Sequence, residues 1–282
     1  MNFSMSSLRH PKEKIYGTLT LLFGIVVWMA VLAALVAAVQ SGNYELIFFV
    51  GFYIVLLKFL SFISKALLRA YIFGHFVMIG PQQFPHLYKM VEEGARAVGL
   101  KETPRTFVYN SSGVINAMAL RLVGRHRYVW LTSALIDSND DEQVRFVIGH
   151  ELGHHVAGHL DEPWSILRLP GLFIPFIGTA YLRSRELTCD RVGAWLSGNL
   201  NASRSALQML ACGSAKLNGQ LNPAAFEAQE QMLPSISGFL LHIFSTYPRL
   251  TRRVEAVGQW YATRDQVVVP TNAVGRTEPQ FV

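Results

Sequence analysis

The sequence predicts an α+β chain, mostly α, with an N-terminal transmembrane helical hairpin followed by a domain built on a small antiparallel sheet. Three observations predict it. Two long apolar stretches stand close to the N-terminus, three short β-like runs fall between residues 105 and 132, and helical periodicity governs most of the remainder. The expected divisions are a cytoplasmic segment over 1–14, the hairpin over 15–65, the main domain over 70–262 and a flexible tail over 263–282.

The hairpin comes first. From Ile15 to Val39 there are 25 residues without a charge, enough to cross a hydrocarbon core of ~30 Å at ~1.5 Å per residue. The stretch is too long for the core of a signal peptide and has no clear small-residue cleavage site before a polar sequence, so a retained anchor is expected. A second apolar stretch runs from Tyr44 to Ile63, with Lys58 able to reach back toward the headgroups. The short connection Gln40-Ser41-Gly42-Asn43-Tyr44 suits a tight turn. Arg9, Lys12 and Lys14 precede the first span, Lys58, Lys65 and Arg69 mark the end of the second, and the turn has no basic residue. That asymmetry places both ends of the hairpin, and the domain after it, in the cytoplasm.

Next, Leu87, Val91, Ala95 and Val98 form an apolar stripe that predicts a helix over Phe84 to Leu100, with Gly99 at its C-terminal end. Runs at Arg105–Tyr109, Val114–Arg121 and Tyr128–Thr132 read as strands, the first two separated by the turn residues Asn110-Ser111-Ser112-Gly113. Ser138 followed by Asn139, Asp140, Asp141 and Glu142 reads as a helix start, with Ser138 as the N-cap. Leu169–Leu182 is apolar but holds Pro170, Gly171, Pro175 and Gly178, and is too short to span comfortably. It reads as a membrane-facing segment or a lid. Helices are expected over 203–217 and 223–232, and a further apolar segment over 236–244.

Composition narrows the function. The chain is 51% hydrophobic with a formal net charge of +6, and the basic residues that flank the spans would be drawn to an anionic leaflet. No basic stripe with interleaved aromatics lies elsewhere, so no nucleic-acid partner is expected. Two cysteines, Cys189 and Cys212, imply no disulfide framework.

The chemistry is carried by His150-Glu151-Leu152-Gly153-His154. Two histidines four apart stack on one helix face and can reach one metal ion, with Glu151 placed to act as general base on a water there. A catalytic zinc needs a third protein ligand and an open position. The three-histidine pattern would put a histidine ten residues after the first, behind a glycine at seven; here those positions hold Leu160 and Ala157, and His159 is one residue short. A distal acid is the alternative. Glu186 and Asp190 are i and i+4 on an expected helix, so that one could bind the metal while the other accepts the free N–H of a ligand histidine. His155 and His159 lack an intervening glutamate and read as structural or hydrogen-bonding groups.

Four patches in order, Phe84-Pro85-His86-Leu87-Tyr88, Asn116-Ala117-Met118-Ala119, the histidine motif and Ser184-Arg185-Glu186 through Asp190, resemble the HtpX-like integral-membrane zinc metallopeptidases, relatives of the CAAX prenyl proteases. The resemblance implies a zincin-type protease domain with one Zn2+ per chain held by His150, His154 and Glu186, Glu151 as the base and Asp190 behind a ligand histidine. It also implies that Asn116, Ala117, Met118 and Ala119 lie on the strand against which an extended polypeptide is laid. Where such proteins often carry His-Pro before a final helix with an arginine, this chain has Tyr247-Pro248 and Arg253, which become the candidates for steadying the oxyanion. The 32-residue interval from His154 to Glu186 is short for an HtpX protein.

The expected function is therefore peptide-bond hydrolysis in membrane or misfolded proteins by a multi-pass enzyme of a bacterial inner membrane, with a polypeptide substrate and the lipid bilayer as its partners. The competing expectation is a non-proteolytic membrane chaperone or scaffold that keeps a structural metal.

Overall fold

A computed structural model describes residues 3–124 and 126–268. A single helical turn, α1 (Met5–Leu8), leads into α2 (Pro11–Gln40) and α3 (Tyr44–His75). Pro11 opens α2, where a missing N–H costs nothing, and Asn43 caps α3 by accepting from Leu46 N at 3.1 Å. Both helices are long and apolar enough to cross a membrane; none of the most apolar window of α3 is buried, and 11% of that of α2. The side chains left bare, among them Phe48, Phe52, Val55 and Leu57, form a patch far beyond the few hundred Å² that a soluble monomer tolerates. Such a surface matches what a lipid-facing helix pair presents.

The two spans differ in what they touch. A side chain at Gly24 of α2 would lie 2.1 Å from Leu167 O, and one at Gly171 would lie 2.1 Å from Thr20 O. Trp28 Nε1 donates to Ile166 O at 3.1 Å. These contacts seat α7 (Glu162–Leu172) directly on α2. The apolar stretch expected over 169–182 is thus divided: its first part ends α7, and its second opens α8 (Ile177–Ser197).

After α3 the chain forms β1 (Val77–Ile79), α4 (Pro85–Ala97), β2 (Arg105–Tyr109), β3 (Ala117–Arg121) and β4 (Arg127–Thr132). The sheet order is β1-β2-β4-β3. Two pairings are antiparallel, as expected, but β2 and β4 are parallel, with Phe107 opposite Trp130. The sheet is therefore mixed rather than antiparallel. The turn at 110–113 does not join neighbours: it carries the chain past the centre so that β3 forms the edge and β4, with Tyr128, Val129 and Leu131 fully buried, takes the middle.

The expected N-cap at Ser138 is corrected. Thr132 caps a short helix, α5 (Ser133–Ser138), so Ser138 ends one helix instead of starting the next. Asp140 caps α6 (Asp141–Val156), accepting from Gln143 N at 2.8 Å while Gln143 Oε1 accepts from Asp140 N at 3.1 Å. This reciprocal pair satisfies two helix-end donors that Ser138, two residues upstream, cannot reach.

Helices α9 (Leu200–Cys212), α10 (Ala215–Asn218), α11 (Pro223–Ala228), α12 (Ser235–Phe244) and α13 (Leu250–Val268) complete the domain. The last runs through residues 263–268, which were expected in the tail; 269–282 lie outside the described residues. One core gathers Met90 and Val91 of α4, Val129 and Leu131 of β4, Ile148 and Leu152 of α6, Leu207 of α9 and Val254 of α13.

The pair that positions the site is α6 against α8. A Cβ at Gly149 would sit 2.8 Å from Gly193 Cα, one at Gly153 would sit 3.1 Å from Cys189 Cα, and one at Gly193 would sit 2.5 Å from Phe146 O. The helices run antiparallel, backbone against backbone, because glycine at these places leaves nothing between them.

Candidate metal centre and active site

That close approach sets the histidine face of α6 against the acidic face of α8. His150 Nε2 lies 3.4 Å from Glu186 Oε2, and His154 Nε2 lies 3.6 Å from Glu186 Oε1. These separations are long for hydrogen bonds but suit donors around a common centre: a tetrahedron with ~2.05 Å bonds has edges of about 3.3 Å. On its other side His150 Nδ1 lies 2.9 Å from Asp190 Oδ1, which holds Nε2 toward Glu186 with its lone pair free for a metal.

Asp190 is itself held. Arg253 of α13 reaches it with Nε at 2.8 Å and Nη2 at 2.6 Å, in a fork that is buried throughout. Burial alone would raise the Asp190 pKa, but Arg253 and then His150 pull it down to about 2. The pull on Glu186 is similar: burial opposes it, and His150 and His154 bring it to about 2. Burial likewise disfavours a charge on His150, yet Asp190 and Glu186 outweigh it and push His150 up to about 10. A place that draws a proton this strongly onto an imidazole is one built to hold positive charge, and a divalent cation meets the same need.

Cys189 was not anticipated as a donor. Its Sγ, with donor atoms of His150 and His154, falls in a group whose members all lie within 4.8 Å of one another. Two donor sets therefore share the histidines, completed by Glu186 or by Cys189. Burial, and then Glu186, push the Cys189 thiol well up, against the thiolate that a metal requires. Glu186 faces both Nε2 atoms and is already ionised. The carboxylate set fits a metal better.

Glu151, one residue along from His150, is buried at 6% exposure. Burial raises its pKa to about 7; His150 opposes this, Glu186 adds to it and the Ala119 backbone opposes it again. The site opens on a cavity of about 750 Å³ lined by Asn116–Ala119, His150, Glu151, His154, Glu186, Tyr247 and Arg253. Asn116 and the first three residues of β3, the sheet edge, border it. The candidate site residues thus line one space, apart from Asp190, which stands behind His150.

Two of them are placed differently from each other. Tyr247 is 64% exposed at the cavity wall. Burial, followed by the charges of Glu186 and Glu151, raises its pKa, which keeps the phenol a donor. Its turn is fixed by Ser245 Oγ, which donates to Tyr247 O at 2.6 Å, and by Arg183 Nη1, which donates to Ser245 O at 2.5 Å. Arg253, in contrast, spends Nε and Nη2 on Asp190, so its geometry is that of a group holding a carboxylate. His155 ties α6 to the sheet, its ring Nε2 lying 3.0 Å from Tyr128 O, in keeping with a structural reading.

Sequence reasoning missed the packing glycines 149, 153 and 193, the thiol of Cys189, and Arg183 behind the Tyr247 turn. The glycines had a readable signal, since Gly149 and Gly153 are spaced four apart beside the two histidines.

Residues 81–180 match the model for Peptidase family M48. A plastoglobule-localized metallopeptidase 48 of Arabidopsis thaliana is 29% identical over 55% of this chain and 48% of its own length. HtpX protease homologues of Methanopyrus kandleri and Nostoc punctiforme are 27% and 29% identical, over 59% and 61% of this chain and 64% and 72% of theirs. The chain thus spans from about half to under two thirds of the first two relatives. Among solved structures, the Ste24p crystal structure from S. mikatae matches 83% of this chain and 66% of that one, with a TM-score of 0.50 at 17% identity, a likeness of fold.

Proposed function

We propose that this chain, which resembles the HtpX proteases and matches Peptidase family M48 over residues 81–180, is a membrane-anchored zinc endopeptidase that cleaves extended segments of membrane or misfolded proteins at the cytoplasmic face. One observation carries it: the two Nε2 atoms of α6 converge on Glu186 while Glu151 faces the same cavity beside an edge strand.

His150, His154 and Glu186 would hold the ion, and Asp190, clamped by Arg253, would keep His150 aimed. When bound, zinc supplies Lewis acidity, polarising the scissile carbonyl and lowering the pKa of water to about 7. A peptide pairing with the free edge of β3 would lie across the cavity, held by main-chain hydrogen bonds that leave its sequence loosely specified. Glu151 takes the proton of the attacking water on its carboxylate and passes it to the departing amine. The Tyr247 hydroxyl, mounted on a fixed turn at the cavity wall, donates to the developing oxyanion.

The alternative of a chaperone or scaffold with a structural metal has to explain a buried glutamate beside an open cavity. The deciding experiment is Glu151→Gln in the full-length protein in detergent. Bound zinc should persist at one per chain while cleavage of an unfolded polypeptide disappears; surviving cleavage rules out this base. A zinc-loaded wild type that binds unfolded chains and cleaves none favours the scaffold.

A further inference from the structure

His150 has Asp190 behind it, but His154 is supported differently. Its Nδ1 lies 3.1 Å from Nδ1 of His159, and Nε2 of His159 lies 3.1 Å from Oε1 of Glu13, in the first turn of α2. Glu13 is 1% exposed and His159 is 6% exposed, so water does not compete for these bonds. With both imidazoles neutral, one arrangement of protons satisfies the chain. Glu13 Oε1, which also pairs with Arg9, serves as the acceptor, so His159 donates from Nε2 and its Nδ1 carries the lone pair. His154 must then donate from Nδ1, which leaves the lone pair of its Nε2 facing Glu186 at 3.6 Å.

We propose that His159, oriented by Glu13, is a positioning residue for the metal centre, and that α2 through this chain helps to set the affinity for zinc. The inference rests on the reading of His154 as a metal ligand. Four further contacts fix its far end. Arg9 pairs with Glu13, and its Nη2 donates to Ala157 O at 2.9 Å. Arg185 Nη2 donates to His159 O at 3.1 Å, and Thr188 Oγ1 accepts from His10 N at 2.9 Å. An apolar pair could hold α2 to the turn after α6 without the several kcal/mol of desolvation that a buried carboxylate costs. What apolar side chains cannot supply is a fixed tautomer for His154. Cys189 Sγ, 3.6 Å from His159 Nδ1, can share that lone pair as a weak donor without reversing the chain's direction.

The test uses the full-length protein in detergent. Zinc affinity is read by competition with a chelator, and ligand geometry by the absorption spectrum of the cobalt-substituted protein. His159→Ala should weaken zinc by about 10–100-fold and alter the cobalt spectrum. His159→Asn, whose amide oxygen can still accept from His154, should recover most of that loss, and Glu13→Leu should weaken zinc with His159 in place. The thermal midpoints of the metal-free variants separate misfolding from a metal effect, and the Asn variant carries the test if the Ala variant does not fold. An Ala variant that keeps wild-type affinity and spectrum, or an Asn variant no better than Ala, overturns the inference while the wild-type zinc leaves the metal centre standing. A sulfur-to-cobalt charge-transfer band would put Cys189 in the donor set and overturn it as well. A wild type that binds no zinc brings down the metal reading itself.

Discussion

Adding one methyl group at Gly193 tests whether helix proximity builds the metal centre. In Gly193→Ala the new Cβ would sit 2.5 Å from Phe146 O, 3.1 Å from Phe146 Cδ2 and 3.2 Å from His150 N. Ordinary contact needs about 3.4 Å or more, so α6 and α8 must part by close to 1 Å. Phe146 O belongs to the helix backbone and cannot swing aside. Alanine gains about 1 kcal/mol of helix propensity over glycine, and overpacking costs about 1–3 kcal/mol, so the net change in stability is modest. The site pays more. A shift of that size carries His150 Nε2 from 3.4 Å to beyond 4 Å from Glu186, outside the roughly 3.3 Å edge of a tetrahedral site, and a 1 Å misplacement costs about 10²-fold in rate. Zinc competition, initial rates on an unfolded polypeptide and thermal midpoints measure the three effects separately. Gly74→Ala, where a Cβ meets nothing within 4 Å, serves as the control. A folded Gly193→Ala protein with wild-type zinc affinity and rate within about 3-fold would refute the reasoning.

Four further outcomes are expected. Tyr247→Phe should lower kcat by up to about 10²–10³-fold with zinc content intact; an unchanged kcat would leave the tyrosine a packing role only. Arg253→Leu strands Asp190 as a buried charge and should cost about 3–5 kcal/mol by denaturant unfolding, and a loss under 1 kcal/mol would show the fork to be dispensable. Chelation should abolish cleavage and added zinc restore it; cleavage that survives chelator removes the metal from the mechanism. For Glu230, burial opposes ionisation, but Arg249, Thr251 and Arg252 outweigh it and bring its pKa from 4.5 to about 2. A depressed folded-state pKa stabilises above 4.5 and loses that contribution as pH falls toward 2. The thermal midpoint should therefore fall more steeply across that window in the wild type than in Glu230→Gln; parallel curves would show that the cluster contributes nothing.

Much of the molecule could be read from local pattern. The strand at Arg105–Tyr109 has the expected bounds, and the helix after Phe84 and the paired spans follow from periodicity and charge. The histidine pair is legible because both residues lie on one helical face, and Glu186 with Asp190 for the same reason on α8. Sheet order is not local. Nothing in residues 110–116 announces that β4 will insert between β2 and β3, since the parallel pairing depends on where the later strand finds its neighbours. The N-cap was misplaced because Ser138 and Asp140 are both good caps, and only the hidden short helix α5 separates them. Glu13 was unreadable for the same reason as the sheet order: it lies 146 residues from the histidine it meets, and in the sequence it is one more charge at the mouth of a span.

The seating of α2 has a consequence for what the protein can reach. Glu13 stands two residues before Ile15, where the uncharged stretch begins, a rise of about 3 Å. Through Glu13, Arg9 and the contact of Trp28 with α7, the cavity is mounted on this helix without a tether. A flexible linker would let the domain sample many heights above the lipid, whereas a rigid mount allows one. For the peptidase proposed above, such a mount would act as a gauge: a segment would become a substrate by lying unfolded at the set elevation from the bilayer, and folded domains standing farther out would pass beyond its reach.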